Sequence, residues 1–241
     1  MAYIYIICDI SIKVKDRFMD IKTFESIEKS ISEERLSVYK ADGVDNKTAL
    51  ARYIYNIELC KSLYPLINIF EVTLRNGMDN ALSDFFSNPD WNNVIPLSQS
   101  EVAMLNDAQL KMKRNGKKYS HGRLVAELTL GFWVALMGRK YNTQAFQFAI
   151  IKRCLHGCPA NQKKSSAVQK NLSEIRFLRN RIAHHERISH WKDLKQKHDL
   201  LLDFTFWLNK DMHKIAVDHD SFNDVYNTGI APFLDFVENE L

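Results

Sequence analysis

An arginine and a histidine five positions apart are the residues of this chain best suited to chemistry. They are Arg179 and His184, in the stretch I-R-F-L-R-N-R-I-A-H-H-E-R-I over residues 175–188. A guanidinium is always charged and can grip a phosphate or stabilise charge building on a phosphorane. Histidine is the side chain that titrates nearest neutrality, so His184 can accept and return a proton. Those parts suffice for metal-free RNA cleavage, in which a 2′-hydroxyl attacks the adjacent phosphate. Asn180 precedes His184 by one turn and can orient the imidazole or meet the same substrate.

The element that must position them reads as one amphipathic helix. At about 100° per residue, Arg176, Arg179, Asn180, Ala183, His184 and Arg187 fall within a sector of roughly 140°. Ile175, Leu178 and Ile182 form the opposing apolar stripe. One face is built for burial and the other for an anionic partner. The same residues also make a plain solvated face with salt bridges to Glu174 and Glu186, and spacing does not separate the two readings.

Three further constellations bear on function. Glu71, Arg75 and Asn76 lie in an otherwise apolar helical run, I-N-I-F-E-V-T-L-R-N. Glu71 and Arg75 are spaced for an internal ion pair that fixes helix register; the alternative is a supporting or RNA-contacting role. Lys111, Lys113, Arg114, Lys117, Lys118 and Arg123 surround Tyr119 and His121, a mixture suited to a single-stranded RNA backbone with base stacking. The plain alternative is a solvated helix end. Lys163, Lys164 and Lys170 form a second basic group. Cys154-x-His156-x-Cys158 matches no common zinc spacing, and adjacent histidines of a helix diverge by about 100°, so no metal site is read at either place. No glycine-rich phosphate loop or dinucleotide fingerprint is present, so no cofactor is expected.

The chain has 241 residues, with 33 Lys plus Arg against 29 Asp plus Glu, a formal charge of +4. That is compatible with nucleic acid without demanding it. Only 8 Gly and 5 Pro argue against a loop-rich or sandwich fold. Cys8, Cys60, Cys154 and Cys158 make no disulfide framework for a chain this long, which points to a reducing, cytoplasmic setting. No apolar run reaches the roughly 18 residues of a membrane span. The apolar opening, Met1 to Cys8, lacks a basic flank and makes a poor signal peptide.

Residues 1–18 alternate weakly and read as an extended or short β arm. From residue 19 to 241 the pattern is a single all-α domain, a bundle of about eight to ten helices. Predicted tracts are Ile21–Ile31, a short one through Tyr39, Asn46–Phe86 kinked or broken at Pro65, Ser98–Arg114, His121–Met137, Thr143–Leu155, the focal helix, Trp191–His213 and Phe222–Val237. Residues 160–167 read as a linker, and Asn171-x-x-Glu174 as a capping box for the focal helix. The aromatic runs, Phe132-Trp133, Phe146, Phe148, Phe204, Phe206 and Trp207, read as core or dimer interface.

The stretch R-N-R-I-A-H-H-E-R resembles the R-x4–6-H signature of HEPN (higher eukaryote and prokaryote nucleotide-binding) domains, in the form found in the Abi-like family of bacterial abortive-infection proteins. S-E-E-R-L-S-V-Y (32–39), F-E-V-T-L-R-N-G-M (70–78) and L-G-F-W-V-A-L-M (130–137) resemble that family in content and order. The resemblance implies a HEPN-like helical domain that forms a homodimer with a composite site. It implies a metal-independent endoribonuclease leaving a 2′,3′-cyclic phosphate, with Arg179 and His184 as catalytic pair and Asn180, His185, Glu186 and Arg187 in support. It also implies a growth-arresting effector of anti-phage defence or a toxin–antitoxin pair, restrained by an antitoxin protein or a noncoding RNA. Some HEPN domains only bind RNA or nucleotides, which is the alternative.

Overall fold

Helical periodicity dominates the chain, and the structure follows it. A computed structural model describes residues 21–241; the expected arm over residues 1–18 lies outside the described residues. Among them are twelve α-helices, three short 3-10 turns and no strand. The helices are α1 (Ile21–Ile31), α2 (Glu33–Ser37), α3 (Asn46–Phe86), α4 (Gln99–Arg114), α5 (His121–Glu127) and α6 (Leu130–Ala135). They continue as α7 (Ala145–Arg153), α8 (Ser165–Ala183), α9 (Leu194–Leu208), α10 (Lys210–Asp218), α11 (Phe222–Thr228) and α12 (Ala231–Glu240).

The count exceeds eight to ten because three apolar tracts each divide. His121–Met137 splits where Leu128 turns extended at ψ 131°. Trp191–His213 splits at Asn209, which is extended and whose Oδ1 accepts the N–H groups of Asp211 and Met212 at 2.9 and 3.0 Å, capping α10. Phe222–Val237 splits at Gly229, whose φ of +68° suits glycine. Pro65 makes no break, because α3 runs uninterrupted through it for 41 residues. Proline removes one helical hydrogen bond, at a cost of about 3 kcal/mol. Around it Leu59, Leu63, Leu66, Ile67, Phe70 and Leu74 are all buried, which offsets that loss.

The chain divides into two compact units. The first takes the described residues up to Tyr55 together with Gly229–Leu241. Its cores are Phe24, Leu36, Tyr39 and Ala49, and Leu50, Ala51 and Val237. Tyr39 meets Tyr53 edge-on at 5.5 Å.

The second unit, Asn56–Thr228, holds every residue of chemical interest. In it α8 packs against α6, α7 and α9, and α4 against α5 and α6. Helix α8 buries Val168, Leu172, Ile175 and Leu178, one stripe at helical spacing. Phe70 of α3 meets Phe204 of α9 at 6.4 Å. Trp91, Phe132 and Trp133 form an aromatic cluster with centroids 5.2–6.3 Å apart. Of the aromatic runs, Phe132, Trp133, Phe146, Phe204 and Trp207 are buried, whereas Phe148 and Phe206 are exposed.

Candidate active site

Helix α8 carries Arg176, Arg179 and Asn180 but stops at Ala183, so the focal stretch is not one helix to Ile188. His184 is the C-cap, with φ −92° and ψ 9°. His185 follows in the left-handed region at φ +56°. Its N–H donates to Ile182 O at 3.0 Å, and the Glu186 N–H reaches back to Arg181 O at 2.8 Å. This is a Schellman end, with histidine where glycine is usual. The side chains of Arg181 and Glu186, which face each other across that turn, form an ion pair at 2.8 Å. The start of α8 also lies earlier than expected. It begins at Ser165 within the predicted linker, so Asn171 and Glu174 are interior and no capping box forms. Glu174 instead receives Lys197 at 2.6 Å.

Two residues fasten the segment after the turn. Arg181 Nη2 donates to Arg187 O at 3.0 Å, and its guanidinium lies 5.6 Å from the Trp191 ring, itself stacked on Phe177. Asn56, on α3 and only 4% exposed, accepts the N–H groups of Ile188 and Ser189 at 2.7 and 3.1 Å through Oδ1. Its Nδ2 donates to Glu186 O at 3.4 Å. The fully buried Ile188 anchors the same segment. Neither Asn56 nor Arg181 stood out in the sequence. The only signal for Arg181 is its i, i+4 spacing from Phe177; Asn56 has none, because its partners are some 130 residues away.

Arg179 turns inward to α3. Its Nε donates to Glu71 Oε1 at 2.5 Å, so Glu71 pairs with Arg179 rather than with Arg75. Arg75 Nη1 reaches the Ala126 carbonyl at 3.4 Å instead, and Asn76 is exposed. Arg179 and Glu71 line a groove of about 140 Å³ with Tyr64, Ile67, Asn68, Ile182 and Ala183. Use of Nε leaves both η nitrogens of Arg179 without another partner among the described residues, and these are the two donors that match a phosphate. Asn180 and Arg187 are half-buried, and Arg176 is exposed. His184 is exposed, and among the described residues no hydrogen bond joins its side chain to Arg179. Desolvation of its ring, then the charges of Arg187 and Arg181, hold His190 below the usual histidine range.

The basic constellation around Tyr119 also forms a groove, of about 520 Å³, from the last turns of α4 and the loop after it. Lys113, Lys117, Lys118 and Tyr119 line it. Lys117 and Lys111 both bind Glu127, at 2.7 and 2.8 Å, and Arg123 Nη1 donates to Lys118 O at 2.8 Å. Arg114 is exposed outside the lining. Of the second basic group, Lys163 donates to His156 O at 3.2 Å, Lys164 is the N-cap of α8 and Lys170 is exposed.

Cys154 and Cys158 are buried, and burial pushes the Cys154 thiol up to about 12 and raises Cys158. A protonated thiol is a poor metal ligand. Among the described residues no three His, Cys, Asp or Glu side chains gather as a ligand set, and no helix is long and apolar enough to cross a membrane.

No family model, no curated protein and no solved structure matches this chain.

Proposed function

We propose that the chain is a metal-independent endoribonuclease of the HEPN type, acting as a homodimer in the bacterial cytoplasm. What supports the reading is one arrangement. Glu71 fixes Arg179 at a groove wall by its Nε, and a tightly fastened turn carries His184 just beyond the same helix. In the reaction a 2′-hydroxyl attacks the neighbouring phosphorus and the bond to the 5′ oxygen breaks. A 2′,3′-cyclic phosphate and a 5′-hydroxyl result. His184 takes the proton of the 2′-hydroxyl or returns one to the leaving oxygen. Arg179 stabilises the charge on the phosphorane.

Five positions on a helix are about 140° apart, which favours a site completed by a second copy. Two copies would bring two arginines and two imidazoles together, supplying an acid and a base at once. By the resemblance described above, the product is growth arrest in anti-phage defence or a toxin–antitoxin pair, with an antitoxin protein or noncoding RNA as restraint. One observation favours a second reading, a non-catalytic RNA- or nucleotide-binding module. The His184 ring has no hydrogen-bond partner among the described residues to fix its tautomer.

The test is incubation of purified protein with total RNA and a chelator, followed by mapping of the ends. The ribonuclease reading expects cuts with 2′,3′-cyclic phosphate ends that survive the chelator. It expects them to vanish in His184→Ala and Arg179→Ala. Cuts that need a metal, or that persist in His184→Ala, would refute it. Binding without any cutting by the wild type selects the second reading.

A further inference from the structure

We infer that the groove formed by the end of α4 and the loop after it is a binding site for single-stranded RNA, with Lys113 and Lys118 on the phosphates and Tyr119 as a stacking platform for a base. The inference rests on the ribonuclease reading for the choice of RNA, and deepens it by naming a single strand as substrate.

Charge comes first. Residues 109–127 contain six Lys and Arg and one acid, Glu127, a net +5. The whole chain carries +4, so all other residues together sum to −1. The cationic excess of the protein therefore sits on this one segment, the footprint expected where a polyanion lands. A helix C-terminus attracts basic residues on its own account, and Lys111, Lys113 and Arg114 occupy the last turn of α4. That effect fades within a turn and does not explain Lys117, Lys118 and Arg123 beyond it.

Geometry comes second. Helix α4 ends in a Schellman turn at Gly116, φ +65°, with the Lys117 N–H on Met112 O at 3.0 Å. Glu127 then holds Lys111 and Lys117, and those two hydrogen bonds keep its carboxyl down to about 2. Arg123 is spent on the Lys118 carbonyl. The ammonium groups of Lys113 and Lys118 have no partner among the described residues, and both residues line the groove. Tyr119 lines it too and is 54% exposed, with no described ring packed on it. An exposed aromatic between unpaired lysines on a fixed wall suits an unpaired base and its phosphates, because every base has a stacking face. A duplex hides those faces.

The probe is a fluorescein-labelled, fully 2′-O-methylated single strand of about twelve nucleotides, which spans the groove and has no free 2′-hydroxyl to attack. Affinity is read by anisotropy across a salt series. Lys113→Gln with Lys118→Gln is expected to weaken binding about tenfold and to flatten the logarithmic salt slope by about 1.4. Tyr119→Ala is expected to weaken it about tenfold and Tyr119→Phe to leave it unchanged. A duplex of the same sequence is expected to bind at least tenfold more weakly. Unchanged affinity in the lysine and tyrosine variants, equal binding of duplex, or equal displacement by polyglutamate would overturn the site, the last pointing to an acidic protein partner. Cleavage is scored separately on unmodified RNA. Loss of binding in these variants with no cutting by the wild type keeps the groove and removes the ribonuclease reading. Cutting lost in His184→Ala with groove variants binding normally does the reverse.

Discussion

Replacing Asn56 by alanine should loosen the turn that carries His184 and His185, and the cost can be worked from three hydrogen bonds. Asn56 is 4% exposed and lies against the backbone of Glu186, Ile188 and Ser189. Alanine leaves the Ile188 N–H buried without an acceptor, at about 1–3 kcal/mol. The Ser189 N–H and Glu186 carbonyl are only partly buried and regain water, so each loses about 0.5–1 kcal/mol. The sum is about 2–5 kcal/mol, or about 4–20 °C in Tm for a chain of this size. Urea melts of the two proteins give the free-energy difference, and hydrogen exchange at the Ile188 amide locates it. Melts that agree within about 0.5 kcal/mol, or an Ile188 amide still protected in the variant, would refute this account of the turn.

Three other perturbations test separate parts of the structure. His185→Gly should stabilise the protein by about 1 kcal/mol, since glycine takes a φ of +56° without steric cost; a destabilised melt would show that the imidazole holds the turn. Glu71→Gln should change stability by less than about 1 kcal/mol, because both partners of the Arg179 pair are partly exposed, yet it should cut RNA cleavage at least about tenfold by releasing Arg179. Unchanged cleavage would leave Glu71 a purely structural partner. The third concerns Glu101, which is buried. Burial raises its pKa, but hydrogen bonds from Lys140, Ser98, Tyr141 and Ser100 outweigh this and bring it from 4.5 to about 2. A lowered folded pKa stabilises above the unfolded value, so about 3 kcal/mol is present above pH 4.5 and is lost as pH falls toward 2. Urea melts of wild type and Glu101→Gln across that range check it: the wild type should lose its advantage on acidification, and parallel curves would contradict the network.

The two helix ends that shape the candidate sites show how far sequence reaches. Helix α4 stops at Asn115-Gly116, a signal any reader of sequence uses, because glycine alone takes the left-handed position freely. Helix α8 stops by the same turn, but with His185 in that position, and nothing local marks it. The helical pattern extends to Ile188, whereas in the structure Ile188 is buried from the loop, its N–H held by Asn56.

The sequence by itself determined the helical class, the stripe that α8 buries, and the clustering of charge around Tyr119, because these depend on residues within a few turns of one another. Only the tertiary structure decided that Pro65 stays inside a helix, since the burial that outweighs its lost hydrogen bond comes from other segments. The same holds for Glu71. Its i, i+4 neighbour Arg75 was the local partner on offer, but Arg179 lies 108 positions away along the chain and at 2.5 Å in space. Local spacing fixes which charges can meet on one helix; packing of two helices fixes which of them do.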